Sequence, residues 1–323
     1  MLALTGRSLD VPRRAALAVF AFAALLCANF GCQAAGQRLL SLIGIQQEPL
    51  SIALVIDRPT DAAQAFNPFP AYGPLQRALS EHLGRPVAID ACFPFQVESG
   101  LASGWHDLAV LTPVQYAGLR SPDTARVLAV SVDKEGRIAT AALLVVPVGS
   151  EVAAVGDLRA KVVAFGPAGD LRAHHAALKL LADAGLQPTD LSLEVLPVPS
   201  SLKHMPDGRA VAQSVLNASS AAGFVDQTTW DAFPERAGGD EPTRDKFRVL
   251  ARTVAVPDRL LLASPRLDDA TAERVLAFGL RVGTTHPQVM EPLTSSGYAA
   301  PTAELLADCR GLAPPTAATT TQP

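Results

Sequence analysis

The sequence predicts an α/β protein with two lobes, and three observations support this. Short apolar segments alternate along the chain with segments whose apolar residues recur at helical spacing, which is typical of α/β proteins with mostly parallel sheets. The 323 residues are enough for two domains. Two extended segments, 139–147 and 247–257, bracket the middle third of the chain. We therefore expect two hinge crossings between two lobes, with a central cleft.

The composition is that of a folded protein and excludes some partners. Hydrophobic residues make up 49% of the chain and charged residues 18%, which is typical of a globular protein. The net charge is −4, no long basic run occurs, and aromatic residues make up only 5%. We therefore expect no nucleic-acid partner, because such binding needs a basic footprint or a stacking surface.

Residues 1–35 are typical of a secretory signal peptide. Arginines at positions 7, 13 and 14 precede an apolar run over 15–30, and the small-residue segment GCQAAG follows it. Cleavage after Ala34 or Ala35 would give a soluble exported protein. Alternatively, Phe30-Gly31-Cys32 resembles the end of a lipobox, and Cys32 would then carry a lipid anchor. Both routes predict a periplasmic or cell-envelope location.

The first lobe is predicted from residues 50–138 together with 255–310. Its strands are apolar and end at turn residues, and its helices have apolar residues three and four positions apart. The strands are predicted at 50–57, 86–93, 106–112 and 126–132, and the helices at 71–84 and 267–283. Gly84 is a typical C-terminal glycine, and acidic residues in the first turn of 267–283 favour a helix start.

The second lobe is predicted from residues 139–254 and includes the hinge strands. Its strands are predicted at 138–147, 161–165, 191–198 and 247–257, and its helices at 170–184 and 208–218. The low-complexity segment 311–323 is predicted to be a disordered tail.

The loop GPAGD, at 166–170, follows the strand KVVAF and opens a helix. A strand, turn and helix in this order is a common anion-binding construction, since free N–H groups and the positive helix end point at one place. Arg172 could add bidentate binding, and His174 or His175 could donate. The alternative is that Asp170 only caps the helix, with Arg172 and the histidines on a solvated first turn.

Three segments then carry a family resemblance. AYGPLQRALSEHLGRPVAI, SGWHDLAVLTPVQYAGL and GDLRAKVVAFGPAGD with LADAGLQP resemble the phosphate/phosphite/phosphonate substrate-binding proteins of bacterial ABC transporters, and GFVDQTTW resembles a later segment of that family. The likeness covers 51–307. It implies a type II periplasmic-binding-protein fold, a small-molecule ligand in the interlobe cleft and an ABC permease as partner.

The resemblance also implies which residues contact the ligand. Tyr72 and Tyr116 match aromatic residues that face the ligand in the family, Asp226 matches the cleft aspartate, and His204 is a candidate for a histidine found before the preceding helix. The family's loop carries a Ser-Thr-Ser-type run, whereas this chain has Ala168, Gly169 and Asp170 there. The alternatives are buried tyrosines with satisfied hydroxyls and a strand-end turn role for Asp226.

The expected function is therefore that of an exported solute-binding protein for a phosphonate-like, phosphate-like or other small solute. The alternative is a degenerate envelope interaction or sensor module on the same fold. No catalytic motif or metal-ligand spacing occurs in the sequence, so we expect neither an enzyme nor a cofactor or metal. Cys92 and Cys309 could form a disulfide in an oxidising compartment, or could be two buried thiols.

Overall fold

A computed structural model describes residues 48–55, 69–121, 125–192, 202–236, 241–290 and 295–312. The predicted signal peptide with Cys32, nearly all of the predicted strand at 191–198, and residues 313–323 of the predicted tail lie outside these ranges. Within the part of the chain that is described, no helix combines the length and the apolar character needed to cross a membrane.

The chain forms two compact units. The first comprises 1–111, 120–134 and 260–300, and the second comprises 112–119, 135–259 and 301–323. The sequence prediction had placed 112–119, 135–138, 255–259 and 301–310 in the first lobe. The first and last of these segments group with the second unit because Arg310 donates a hydrogen bond to the Tyr116 hydroxyl and Gly311 approaches the side chain of Lys179.

Eleven strands and nine α-helices lie within the described ranges. The strands are β1 (Leu50–Val55), β2 (Val87–Cys92), β3 (Leu108–Leu111), β4 (Arg126–Val132), β5 (Ala142–Pro147), β6 (Val163–Phe165), β7 (Lys203–His204), β8 (Ala222–Asp226), β9 (Phe247–Arg252), β10 (Leu260–Ala263) and β11 (Gly297–Ala299). The helices are α1 (Phe69–Leu83), α2 (Pro94–Ser103), α3 (Pro113–Ala117), α4 (Ala177–Asp183), α5 (Gly208–Leu216), α6 (Gln227–Ala232), α7 (Asp269–Thr285), α8 (Pro287–Met290) and α9 (Ala303–Arg310).

The first unit is built on a six-stranded sheet in the order β11-β4-β10-β3-β1-β2. Strands β2, β1 and β3 are parallel, and their near-continuous apolar character is typical of strands covered on both faces. Helices α1 and α7 pack on this sheet through residues such as Leu79, Val275 and Val282, which are almost fully buried. Burying these side chains is the main stabilising term of this core.

The second unit is built on a five-stranded sheet in the order β7-β6-β8-β5-β9. Phe165, Leu181 and Phe224 belong to a core cluster on this sheet, while Val211 and Val225 belong to a second cluster that includes α5. Phe224 and Val225 are adjacent residues of β8 and belong to different clusters, as expected for successive side chains that point to opposite faces.

The expectation of mostly parallel sheets is wrong, since both sheets are mixed. Strands β5 and β9 pair antiparallel with each other, and β5 is also antiparallel to β8. In the first unit β10 is antiparallel to both β3 and β4. The apolar pattern of a strand does not fix its direction, which is why the sequence prediction missed these antiparallel pairs.

Candidate functional site

The turn that follows β6 is tightly closed. The Gly166 N–H donates to the Ala173 carbonyl over 3.2 Å, and the Asp170 N–H donates to the Pro167 carbonyl over 2.9 Å. A Cβ atom at Gly166 would lie 2.7 Å from the Ala173 Cβ, and Gly169 has a φ of +81°. Both glycines are therefore needed, one for the close approach and one for the left-handed conformation.

Asp170 caps the helical segment that this turn opens. Its Oδ1 accepts from the Arg172 N–H at 2.9 Å and from the Ala173 N–H at 2.6 Å. The segment itself, Leu171–Ala176, is π-helical and continues into α4. Capping is thus the role of this side chain in the structure, and it occupies the N–H groups of Arg172 and Ala173, which could otherwise bind an anion. A direct ligand contact by Asp170 stays a prediction.

Arg172 is held by an ion pair and by backbone carbonyls. Its Nη2 lies 2.7 Å from Asp258 Oδ1, and its Nε donates to the Thr140 carbonyl at 3.2 Å. The Arg172 side chain is 17% exposed. Thr140 and Val256 themselves pair as an isolated bridge. Anion binding by this guanidinium would therefore compete with a carboxylate that is already in contact with it.

His204 lies beside a second histidine. Its Nε2 is 2.8 Å from Nδ1 of His174. The ring of His175 stands edge-on to His174, with the ring centroids 4.8 Å apart. Strand pairing accounts for this placement, because β7 sets His204 opposite Phe165 at the end of β6, just before the turn.

Burial shifts the pKa of all three histidines downward. It is the main cause that lowers the pKa of His174 to about 4, and the neighbouring His175 and His204 act in the same direction. Burial also lowers the pKa of His175, against an opposing effect of Asp170. The pKa of His204 is lowered by burial and partly restored by a hydrogen bond with the Leu202 backbone. Removing an imidazolium from water disfavours its charged form, so this group of rings is neutral at neutral pH.

Asp226 ends β8 and caps α6. Its Oδ1 accepts from the Thr229 N–H at 2.8 Å, and its Oδ2 accepts from the Thr229 hydroxyl at 2.6 Å. A Cβ atom at Gly208 would lie 2.6 Å from Asp226 Oδ2, so the glycine at the start of α5 leaves room for this carboxylate. Asp226 thus has the strand-end turn role that the sequence left open as the alternative. A contact between Asp226 and a ligand stays a prediction.

Tyr116 is buried and its hydroxyl is satisfied. It lies on α3, is 1% exposed, and accepts a hydrogen bond from Arg310 Nε at 3.0 Å. The Arg310 guanidinium also lies 5.7 Å from the centre of the ring, within cation–π range. Tyr116 is therefore a buried tyrosine with a satisfied hydroxyl, which was the alternative to a ligand-facing residue. A contact between Tyr116 and a ligand stays a prediction.

Tyr72 lies apart from the other candidates, in the core of the first unit. It is on α1, is 9% exposed, and lines an apolar cavity of about 50 Å³. Leu54, Leu75, Phe278 and Tyr298 line the same cavity. The other five candidates lie in the second unit, where the π-helical segment packs against α3 and β8. The structure therefore brings together the elements that carry Tyr116, Arg172, His204 and Asp226.

Three partners in this region could not be assigned from the sequence. Asp258 is 86 residues from Arg172, and His174 is 30 residues from His204. Arg310 reaches Tyr116 over 194 residues. The only local signal was the pair His174-His175 in the first turn, which the sequence interpretation had treated as potential anion donors and not as partners of His204.

Within the described ranges the cysteines are Cys92 and Cys309, and both are buried free thiols. Burial is the main cause that raises the pKa of Cys92 and of Cys309 to about 12. Across the described ranges, no group of three or more His, Cys, Asp or Glu side chains is arranged to hold a metal ion.

The family model for the periplasmic substrate-binding protein of the phosphonate ABC transporter matches residues 69–306. The match spans well over half of the chain, so this protein belongs to that family. It is a solute-binding protein of an ABC transporter, with the fold of the type II periplasmic binding proteins.

Solved structures support the same fold at low identity. XAC2383 from Xanthomonas citri, solved bound to chloride ion and bound to ATP, aligns in both structures with a TM-score of 0.55 and 18% identity, over 81% of this chain and 96% of that one. Transferrin 1 from Manduca sexta aligns with a TM-score of 0.52 and 14% identity, over 86% of this chain and 49% of that one. Among curated proteins, none matches the sequence.

Proposed function

We propose that the solute of this binding protein is a zwitterion or a cation, and not a phosphate-like dianion. The observation that carries this proposal is the Asp170 carboxylate, which accepts from the N–H groups of Arg172 and Ala173 at the start of the helical segment. A dianion at this turn would find those donors occupied and a negative charge in its place. Two unit charges 4 Å apart repel by about 4 kcal/mol at an effective dielectric of about 20.

The neighbouring charges support the same solute class. Arg172 is the cation nearest in sequence to the turn, and its charge is offset by Asp258 at 2.7 Å. Asp170, Arg172 and Asp258 together therefore carry one net negative charge. A cationic group of a solute would gain from this charge, whereas a dianion would oppose it.

A second candidate is a degenerate envelope or sensor module that no longer binds a solute. The observation that favours it is that Tyr116, Arg172 and Asp226 all have intramolecular partners. Such a module would show no ligand-dependent stabilisation with any small solute. A solute-binding protein gains stability in proportion to the logarithm of free solute above its dissociation constant.

We also propose that residues 1–35 direct export, in keeping with the periplasmic family, and that the chain works with an ABC permease without catalysing a reaction. A lipid at Cys32 is the alternative to a free mature protein. Mass spectrometry of the protein from the cell envelope distinguishes them: a mature chain that starts after Ala34 or Ala35 supports cleavage, and a lipid-modified Cys32 supports the anchor.

The solute class is tested by titration calorimetry of the full chain with phosphate, 2-aminoethylphosphonate and choline. Asp170→Asn is the informative variant, because Asn caps a helix about as well as Asp but carries no charge. Asp268→Asn is the matched control, since Asp268 caps α7 in the first unit in the same way.

The wild-type chain is expected to prefer the zwitterion or the cation, and Asp170→Asn is expected to weaken that binding and improve phosphate binding. Asp268→Asn should leave the preference unchanged. Tight phosphate binding by the wild-type chain, unaltered in Asp170→Asn, would refute the proposed solute class.

A further inference from the structure

Two imidazole rings of the second unit face each other through ring nitrogens. His174 Nδ1 and His204 Nε2 are 2.8 Å apart, and the ring centroids are 4.9 Å apart. His174 is fixed by the π-helical segment and His204 by the pairing of β7 with β6. The ring of Phe165, whose side chain is fully buried, lies 6.3 Å from the His174 ring and 6.0 Å from the His204 ring. The separation of the His174 and His204 rings is therefore set by two backbone elements and by the packed ring of Phe165.

This separation matches the spacing of two ligands on one metal ion. Metal–nitrogen bonds to histidine are about 2.0–2.1 Å long, so two nitrogens at a right angle are about 2.9 Å apart, whereas two at a tetrahedral angle are about 3.3 Å apart. The observed 2.8 Å agrees with the right-angled arrangement. Right-angled coordination by nitrogen and oxygen is the preference of Cu²⁺ and Ni²⁺, and the tetrahedral one is that of Zn²⁺.

We propose that His174 and His204 form a bis-histidine chelate for Cu²⁺ or Ni²⁺, with Nδ1 and Nε2 in neighbouring coordination positions. Within the described ranges there is no third His, Cys, Asp or Glu ligand, so water occupies the remaining positions. This site is independent of the solute class proposed above, because it uses neither the Asp170 carboxylate nor the Arg172 guanidinium.

In the metal-free pair, one of the two facing nitrogens carries the single proton between the rings. On metal binding this proton leaves that nitrogen, and solvent supplies one to the other nitrogen of the same ring. Both rings are then neutral and both lone pairs point at the ion. No net proton is released above the ordinary histidine pKa of about 6.5. Both side chains are half-buried and not enclosed, so an ion can reach them.

Cu²⁺ is the probe for this site, added to the full chain at neutral pH in a buffer that does not bind metal. Calorimetry measures the affinity, and electron paramagnetic resonance counts the coordinated nitrogens. His174→Gln and His204→Gln each remove one ligand. His175→Gln and His286→Gln are matched controls, since His175 is a neighbour outside the pair and His286 is an exposed histidine bonded to Thr285. The thiols are the same in every variant, so differences between variants report on the histidines.

The affinity of the tightest Cu²⁺ site is expected to fall by at least about tenfold in His174→Gln and in His204→Gln, with one nitrogen fewer in the spectrum. Both controls should bind Cu²⁺ as the wild-type chain does. Thermal unfolding without metal shows whether each variant is folded. If only one of His174→Gln and His204→Gln is folded, that variant alone tests the proposal. Unchanged affinity and nitrogen count in a folded pair variant would overturn the proposal, as would an equal loss in His175→Gln.

Discussion

At the scale of single residues, Cys92 and Cys309 have a defined chemical state. Cys92 ends β2 and Cys309 lies near the end of α9, and both are buried free thiols. Burial raises the pKa of each to about 12, with smaller contributions from Asp90 and Asp308. Because the thiolate is the reactive form, these thiols are inert in the folded chain.

We therefore expect a thiol reagent at mildly alkaline pH to leave Cys92 and Cys309 unlabelled in the native protein and to label both in denaturant. Peptide mass spectrometry measures the extent at each position. Rapid labelling in the native state, or recovery of the two cysteines in one disulfide-linked peptide, would contradict the buried-thiol state.

Asp226 gives a second test at this scale. Asp226→Ala removes the acceptor for the Thr229 N–H and hydroxyl, and loss of such a cap costs about 1 kcal/mol of unfolding free energy. Asp226→Asn keeps an acceptor for the N–H group and should cost less. Urea unfolding measures both variants. An Asp226→Ala variant as stable as the wild-type chain would show that the cap is not a stabilising contact.

At the scale of elements, α7 is packed unusually close to the chain that leads into β11. A Cβ atom at Gly283 would overlap the carbonyl oxygen of Ser296. At Gly279, about one turn earlier on the same helix, an added Cβ would lie 3.5 Å from the Tyr298 side chain, which is ordinary contact. The close approach therefore requires a glycine at position 283 but not at position 279.

Gly283→Ala is expected to destabilise the chain by about 1–3 kcal/mol, because the helix must move away from β11. Gly279→Ala is the control and should be neutral or stabilising, since Ala is the better helix former by about 0.5–1 kcal/mol. Chemical denaturation compares them. Equal effects of the two substitutions would refute this close packing of α7 and β11.

The N-terminus of α7 predicts a pH dependence. Asp268 accepts from the Thr271 N–H at 2.8 Å, and this bond is the main cause that lowers the pKa of Asp268 below its ordinary value of 3.8. A carboxyl whose pKa is lower in the folded state stabilises the fold above the unfolded pKa, and this contribution is lost as the pH falls through the folded pKa.

Asp268→Ala should therefore lower stability near neutral pH, by about 0.5–2 kcal/mol for a lost cap. It should also reduce the fall in stability on acidification below the ordinary pKa. Thermal unfolding midpoints across an acid series, compared with those of the wild-type chain, measure both effects. If the variant lost as much stability on acidification as the wild-type chain, the acid dependence would come from other carboxyl groups and not from Asp268.

Short elements show why sequence patterns alone were insufficient at this scale. Strands β7 and β11 have two and three residues, too few for any periodicity to register. Strand direction also lies outside a period-two pattern, which is why the antiparallel pairing of β5, β9 and β10 was missed. The long helices α1 and α7 were predicted because their apolar spacing extends over several turns.

At the scale of the whole molecule, the order of motifs along the chain predicted the family and the α/β class. Local chemistry also predicted Asp170 as a helix cap. The neutralisation of Arg172 by Asp258 and the pairing of His174 with His204 were not predictable, since each joins residues far apart in sequence through the fold. The proposed solute class rests on the Asp170 carboxylate and on the offset of Arg172 by Asp258, and only the second of these needed the structure.

The central claim is that this chain binds a small solute whose charge suits the Asp170 turn. The most direct measurement is the thermal unfolding midpoint of the full chain against a panel of phosphate, phosphonates, zwitterions and amines. A solute at 100 times its dissociation constant adds about 2.7 kcal/mol of stability. We predict a raised midpoint with at least one zwitterion or amine and none with phosphate. No shift with any member, or a shift with phosphate alone, would contradict the account.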